Sequence, residues 1–149
     1  MRPDRIELDV MQFTDIPEVA AIERRTFSQP WTEKGFRDAL EQGASLYLVA
    51  RLGDRHEIVG YCGFQQGLDE AELLNVAVRE DARKNGVGYA MLRLLLKLGR
   101  ERGVHRFVLE VRESNAAALH LYEKLGFVVE GVRKNFYQQP TENAVIMSR

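Results

Sequence analysis

The sequence predicts an α/β fold of the α+β kind, with one mixed, mostly antiparallel sheet and helices on both of its faces. Strand and helix patterns alternate in the order β-α-α-β-β-β-α-β-α-β-β. An apolar strand-like run leads through a glycine turn into an amphipathic helix, which must bury its apolar face. No repeat, low-complexity segment or linker interrupts the 149 residues. We therefore expect one domain that spans residues 1–149.

Composition and charge argue against several classes of protein. Hydrophobic residues make up 45% of the chain and charged residues 29%, which is typical of a globular protein. The net charge of −1 gives no global reason to expect direct nucleic-acid or membrane binding. The N-terminus lacks the apolar core of a signal peptide, so none is expected, and no apolar run approaches the roughly 20 residues that a membrane span needs. We expect a soluble cytoplasmic protein.

The first two helices are predicted from capping residues. A strand is expected at Ile6–Phe13. Asp15 then caps a helix, and Glu18, three residues later, completes a capping box. Thr32 caps a second helix that runs to about Gln42.

Three strands are expected to follow. The alternating runs Ser45–Leu52 and Glu57–Gln66 flank a Gly53–Asp54 turn, which predicts an antiparallel hairpin. A short link then leads to a fourth strand at Ala71–Arg79.

The second half of the chain alternates helices and strands. A long helix runs from Gly86 to about Gly103, and a strand is expected at Arg106–Arg112. Ser114 is the expected cap of a helix over Asn115–Leu125. The last two strands are expected at Phe127–Phe136 and Asn143–Ser148.

The turn between the fourth strand and the long helix has the pattern R-x-x-G-x-G, from Arg83 to Gly88. The first amides of a helix lack intrahelical partners, and together with the helix dipole they favour an anion such as phosphate. Gly86 and Gly88 allow a ligand to approach the main chain closely. From the spacing alone, a tight structural turn and a site for a phosphate-bearing cofactor are equally good interpretations, because short glycine motifs are weak signals.

Three segments together resemble the GNAT family of acetyl-CoA-dependent N-acetyltransferases: Asn75–Val78, Arg83–Gly88 and Asn115–Phe127. Further segments resemble the RimI branch of that family, which acetylates the N-terminal alanine of a small-subunit ribosomal protein. They are Pro30–Lys34, Leu109–Arg112 with Ser114–Asn115, and Arg133–Tyr137. The resemblance covers nearly the whole chain, and the combination is more specific than any one segment.

The resemblance implies acetyl-CoA as cosubstrate. In the family the glycine turn holds the pyrophosphate of coenzyme A, which here gives the residues Arg83, Lys84, Asn85, Gly86, Val87 and Gly88. The backbone of the preceding strand, here Val76 and Val78, pairs with the pantetheine arm. Asn115 matches a position that contacts the cofactor in relatives. No metal is expected.

The resemblance also implies two catalytic residues. An α-amino group has a pKa of about 7.7–8.0, so a base helps it to attack the thioester, and an acid helps the thiolate to leave. Glu110 matches the base, acting directly or through water, and Tyr122 matches the acid. The residues alone allow simpler roles, an ion pair with Arg112 or a lysine for Glu110 and core packing for Tyr122.

The acceptor is expected to contact Trp31, Arg133 and Tyr137. Trp31 could equally be a packing anchor between two helices. Phe136 departs from the branch, in which two adjacent tyrosines are usual. Cys62, the single cysteine, is expected to be a buried small hydrophobe rather than an acetyl carrier.

The predicted function is transfer of the acetyl group of acetyl-CoA to a protein N-terminus, most simply the N-terminal alanine of a ribosomal protein, within a ternary complex. The enzyme is expected to be a monomer or a weak dimer. Two alternatives remain at this point. The acceptor could be a small-molecule amine or a lysine, or the chain could be a silent acetyl-CoA-binding module that regulates a partner.

Overall fold

A computed structural model describes residues 5–53 and 56–149 and places the seven strands of this part of the chain in one sheet. The strands are β1 (Ile6–Val10), β2 (Ser45–Leu52), β3 (Ile58–Gly67), β4 (Glu70–Val78), β5 (Arg106–Arg112), β6 (Val128–Tyr137) and β7 (Glu142–Ser148). The helices are α1 (Ile16–Thr26), α2 (Glu33–Glu41), α3 (Val87–Glu101) and α4 (Ala116–Lys124). None of the described helices has the length and apolar character needed to span a membrane.

The strand order in the sheet is β1-β2-β3-β4-β5-β7-β6. Every neighbouring pair is antiparallel except β4 and β5, which are parallel and are connected through α3. The predicted mixed, mostly antiparallel sheet is therefore confirmed, and so is the β2–β3 hairpin. Asp54, in the predicted hairpin turn, lies outside the described residues.

The helices divide between the two faces of the sheet. One face packs against α3 and α4, and its core includes Phe64, Leu95 and Leu109. The other face packs against α1 and α2, and its core includes Val19 and Phe36. Helices α1 and α2 pack mainly on β2, β3 and β4. Among the described residues they therefore leave open the end of the second face that β5, β7 and β6 form.

The parallel pairing of β4 with β5 is short. It joins Glu70–Glu72 to Arg106–Val108 and then stops, although β4 continues to Val78 and β5 to Arg112. Beyond these pairs β4 stays hydrogen-bonded to β3, and β5 stays paired with β7. The two central strands therefore separate and leave a split in the middle of the sheet.

A β-bulge in β4 lies beside this split. The pairing of β4 with β3 shifts between Leu74 and Ala77, and Asn75 has a left-handed φ of 53°. Leu73 and Val76 both pack on the α3/α4 core, although residues three apart in a regular strand face opposite sides. The extra residue of the bulge thus changes the face of the sheet towards which the side chains at the end of β4 point.

Two N-terminal predictions were wrong. Strand β1 ends at Val10, and a short 3-10 turn follows it. Asp15 does not cap α1 with its side chain, because its carboxylate accepts a hydrogen bond of 2.8 Å from the Gln12 N–H. Glu18 bonds to the Ile58 N–H at 2.6 Å, so a contact with the sheet replaces the predicted capping box.

Of the other two predicted caps, one is confirmed and one is wrong. Thr32 caps α2 by accepting a 3.1 Å hydrogen bond from Gly35 N–H. The cap of α4 is Asn115 and not Ser114, because Asn115 Oδ1 accepts from the Ala118 N–H at 3.1 Å. Ser114 lies one residue too early, and its N–H donates to Glu142 instead.

We predict that Gly63→Ala destabilises the sheet. A Cβ on Gly63 would lie 2.2 Å from Tyr47 Cδ2, a buried ring that cannot easily move. Overpacking of this kind typically costs about 1–3 kcal/mol of unfolding free energy, which urea denaturation measures. Gly67→Ala, at the end of the same strand, is the control, because a Cβ there meets nothing within 4 Å. Equal stability of the two variants would contradict the close packing of β2 on β3.

Candidate active site

The glycine turn leaves space for a ligand to reach the backbone amides in the first turn of α3. Gly86 is the residue before the helix, with φ +77°, and a Cβ built on it would meet nothing within 4 Å. No side chain of the described residues caps the first amides of α3, and Lys84 also has a left-handed φ, of 68°. Open space beside uncapped helical amides is the geometry that anion binding requires.

The side chains of the other turn residues stabilise the conformation of the turn. Asn85 donates through Nδ2 to the Ala82 carbonyl at 3.0 Å, and Arg83 Nε donates to the Val78 carbonyl at 3.0 Å. The Val87 side chain is buried in the core. A Cβ on Gly88 would lie 3.1 Å from Leu121 Cδ2, so this glycine also allows α3 to approach α4.

The end of β4 presents backbone groups to the split. Arg79 N–H donates to the Val59 carbonyl at 2.7 Å, and Val78 is paired with Gly60. In an antiparallel ladder this pattern makes Val78 a non-hydrogen-bonded pair position, so its N–H and C=O point away from β3. The side chains of Val76 and Val78 pack on the α3/α4 core. This edge of β4 has no strand partner among the described residues beyond Glu72, and an extended ligand could pair with it once Arg83 leaves the Val78 carbonyl.

Glu110 lies on the open face of β5. Its neighbours Leu109 and Val111 point into the α3/α4 core, and strand alternation turns Glu110 to the other side. The carboxylate is 22% exposed and lies 3.1 Å from Arg133 Nη1. Its partner is thus Arg133, not the Arg112 or lysine of the simpler interpretation. Burial, and then the Glu110 charge, raise the pKa of Glu72 on β4, while Arg133 lowers it.

Tyr122 lies on the opposite face, in the core under α4. It is 6% exposed and contacts the ring of Phe127 edge to face at a centroid distance of 5.8 Å. Burial, with smaller contributions from Cys62 and Tyr137, raises the pKa of the Tyr122 phenol. No hydrogen bond to its hydroxyl comes from the part of the chain that the structure describes. The phenol is therefore protonated.

Tyr137 interacts electrostatically with both predicted catalytic residues. Burial, and then the Glu110 charge, raise the pKa of Tyr137 to about 12, and Tyr137 in turn contributes to the raised pKa of Tyr122. Glu110 and Tyr122 do not hydrogen-bond to each other. Glu110 lies beside Arg133 on one face of the sheet, and Tyr122 lies in the core on the other face.

Arg112 is a site residue that the sequence interpretation did not single out. Its guanidinium donates to the Gln138 carbonyl at 2.9 Å and to the Pro140 carbonyl at 3.0 Å. It also lies over the Tyr137 ring, 4.5 Å from the centroid. Arg112 therefore fixes the β6–β7 loop beside the split. Its alternation with Glu110 along β5 was the available signal.

The predicted acceptor residues occupy the same side of the molecule but differ in exposure. The Trp31 ring packs on Phe36 and Tyr47, with centroid distances of 5.3 and 6.4 Å, which supports the packing role. Phe136 is 42% exposed, and the Arg133 guanidinium lies 5.2 Å from its ring centroid. Phe136 therefore offers an apolar surface where a hydroxyl is usual in the branch.

Cys62 is fully buried in β3, and burial raises the pKa of its thiol. A thiol that keeps its proton is a poor nucleophile. This agrees with the expected role of a small core residue.

Comparison with known proteins identifies the family. The model of the acetyltransferase (GNAT) family matches residues 16–127, well over half of the chain. The chain belongs to the GNAT acetyltransferase family. The [ribosomal protein bS18]-alanine N-acetyltransferase of Escherichia coli strain K12 is 42% identical over 142 residues, covering 93% of each chain.

Solved structures of other proteins share the fold. The ribosomal-protein-S18-alanine N-acetyltransferase from Escherichia coli superposes with a TM-score of 0.87 at 36% identity, covering 97% of this chain and 92% of that one. Arabidopsis thaliana NAA60, solved in complex with acetyl-CoA, gives a TM-score of 0.89 at 17% identity, covering 97% of this chain and 98% of that one. At that identity the second match shows the fold alone.

This GNAT protein is an acetyl-CoA-dependent N-acetyltransferase, and the site fits that cosubstrate. The uncapped amides at the start of α3 suit a pyrophosphate, and the free edge of β4 suits the amide groups of pantetheine. Asn115 uses its side-chain oxygen to cap α4, so a cofactor contact from this residue would involve its other polar groups.

The lowered pKa of Glu142 predicts that this residue makes a pH-dependent contribution to the free energy of unfolding. Hydrogen bonds from the Ser114 hydroxyl and N–H, with help from Arg112, hold the pKa of Glu142 below its usual range. A lowered folded-state pKa means that the stabilisation is present above the ordinary value near 4.5 and is lost as the pH falls through the folded value.

We therefore expect Glu142→Gln to unfold at lower urea concentration than wild type at pH 7, and the difference to shrink towards pH 3. Glu113→Gln, in the loop that precedes α4, is the control, since no ion pair or hydrogen bond of its side chain is described. A stability difference for Glu142→Gln that stayed constant down to pH 3 would contradict the assignment.

Proposed function

We propose that this GNAT protein acetylates the N-terminal α-amino group of a protein, with the N-terminal alanine of a ribosomal protein as the first acceptor to test. The observation that carries the proposal is the split between β4 and β5, with Glu110 on its open face and Tyr122 on its buried face. The Escherichia coli relative, 42% identical, is named for this reaction on bS18. We further propose that the enzyme acts in the cytoplasm as a monomer or weak dimer.

The donor would bind along the α3 side of the split. The amides of residues 83–88 would hold the pyrophosphate, with the dipole of α3 and the charges of Arg83 and Lys84 in support. The backbone of Val76 and Val78 would pair with the pantetheine arm, as an added strand pairs with a sheet edge. Arg83 Nε, now on the Val78 carbonyl, would move aside for that pairing.

The acceptor would enter from the open face of β5. Glu110 would take up a proton from the incoming ammonium group, directly or through a water, and Arg133 would yield its contact with the carboxylate. Tyr137, fixed by Arg112, and the exposed ring of Phe136 would form one wall. Trp31 would form part of the other.

Tyr122 would supply the proton for the departing thiolate. Its raised pKa keeps the phenol protonated at neutral pH, which is the state that a general acid must have. Direct attack in a ternary complex also agrees with the buried, protonated thiol of Cys62. Pre-orientation of the two reactants can supply about 7–11 kcal/mol of the barrier reduction at best.

The acceptor panel is the first test. Acetyl transfer from acetyl-CoA should be measured on peptides with different N-termini, on lysine peptides with blocked N-termini, and on small amines. We expect the highest kcat/KM for an N-terminal alanine peptide of bS18. Transfer only to small amines, or no transfer despite tight acetyl-CoA binding, would contradict the proposal. The second result would support the silent module.

A matched pair of glycine variants tests the donor site. Gly86 (φ +77°) and Gly103 (φ +89°) flank α3, and a Cβ on either meets nothing within 4 Å. Alanine at each position carries a similar backbone strain, about 1–2 kcal/mol. We expect Gly86→Ala to raise the KM for acetyl-CoA and Gly103→Ala to leave it unchanged. Equal KM values would rule out the turn as the pyrophosphate site.

The acid–base roles predict kinetic losses without unfolding. Glu110→Gln and Tyr122→Phe should each lower kcat by roughly 10- to 10³-fold, the range of one acid–base contribution. Glu123→Gln, an exposed position next to Tyr122 on α4, is the control and should keep wild-type kcat. Near wild-type rates for both test variants would show that other groups transfer the protons.

A further inference from the structure

Glu23 is a buried carboxylate for which the proposed chemistry has no use. It lies near the end of α1, in the core between this helix and the sheet, and is 3% exposed. No arginine or lysine of the described residues forms an ion pair with it. Buried carboxylates are costly unless hydrogen bonds satisfy them, so the partners of Glu23 indicate what it does.

Three donors bind the carboxylate, and its two oxygens have different partners. Oε1 accepts from the Tyr61 hydroxyl at 2.7 Å. Oε2 accepts from the backbone N–H of Trp31 at 3.0 Å and from Asn75 Nδ2 at 3.4 Å. The Asn75 side chain is also held from its other end, because Oδ1 accepts from the Tyr47 hydroxyl at 3.0 Å.

These contacts join two parts of the site that are distant in sequence. Asn75 is the left-handed residue of the β4 bulge, which re-aims the strand edge at which the donor would bind. Trp31 lies near the end of the segment between α1 and α2, residues 27–32, that would face the acceptor. One carboxylate oxygen therefore holds a donor-side residue and an acceptor-side residue at the same time.

We propose that Glu23 is a positioning residue that couples the donor and acceptor halves of the site through Asn75 and Trp31. Its link to donor and acceptor binding rests on the proposed function. The carboxylate touches neither reactant. It keeps the β4 bulge and the α1–α2 segment in register, so that an acetyl group held on β4 and an amine held beside Trp31 meet at the right distance.

Asn75→Gly tests this while keeping the Glu23 side chain and its hydrogen bonds from Tyr61 and Trp31. Glycine tolerates the left-handed φ but deletes both side-chain hydrogen bonds of Asn75. Because a displacement of about 1 Å can cost on the order of 10²-fold in rate, we expect kcat to fall about 10- to 100-fold. Tyr61→Phe is the matched control, since it removes a hydrogen bond from the other oxygen and touches neither Asn75 nor Trp31. We expect its stability to fall and its kcat to stay near wild type.

A second measurement needs no acceptor. Trp31 is the only tryptophan in the chain, so its fluorescence reports on the α1–α2 segment. Acetyl-CoA should change the Trp31 emission in wild type and in Tyr61→Phe, and the change should be lost in Asn75→Gly. Glu23→Gln keeps an acceptor oxygen and should retain most of the kcat and of the emission change, whereas Glu23→Ala should lose both if it folds.

Two results would contradict the coupling. The first is a wild-type kcat and a wild-type emission change in Asn75→Gly. The second is an equal loss of kcat and of the emission change in Asn75→Gly and Tyr61→Phe, because lower stability alone would then explain both. The fluorescence test remains decisive even if the wild-type enzyme fails to acetylate any N-terminal peptide. That failure would remove the proposed acceptor and leave the response to acetyl-CoA as a separate result.

Discussion

The early end of the β4–β5 pairing is the constraint on which the site depends. Strands in the middle of a sheet normally satisfy both of their edges, since unpaired backbone groups are costly when buried. Here β4 stays with β3, β5 stays with β7, and only three residue pairs join them. The facing edges beyond Glu72 and Val108 lack a strand partner within the described residues. An extended ligand with its own amide groups can supply those hydrogen bonds.

The split also explains why two proton-transfer groups can serve one reaction from different environments. Glu110 faces the open side of the sheet, beside Arg133, where an amine can reach it. Tyr122 faces the α3/α4 core, where burial keeps the phenol protonated. In a continuous sheet the strands would separate these two groups. On the proposed function, the acetyl group lies in the gap between them, and Glu23 keeps the two sides in register.

Sequence predicted most of the fold because its signals are local. The Ser45–Leu52 and Arg106–Arg112 strands and the Thr32 cap follow from alternation and side-chain chemistry. The predictions were wrong where a partner that is distant in sequence determines which hydrogen bond a side chain forms. The Glu18 carboxylate, for example, accepts a hydrogen bond from β3 rather than from its own helix. The site residues came from the family resemblance, whereas Arg112 and Glu23 act through contacts with segments that are distant in sequence. Their roles required the three-dimensional structure.

The most direct measurement is a crystal structure with a conjugate of coenzyme A and a peptide N-terminus. The proposed function predicts the pyrophosphate on the amides of residues 83–88 and the pantetheine along Val76 and Val78. It places the peptide on the open face of β5 and the junction of the two halves in the split, between Glu110 and the Tyr122 hydroxyl. A conjugate bound outside the split, or with both halves on one face of the sheet, would contradict it.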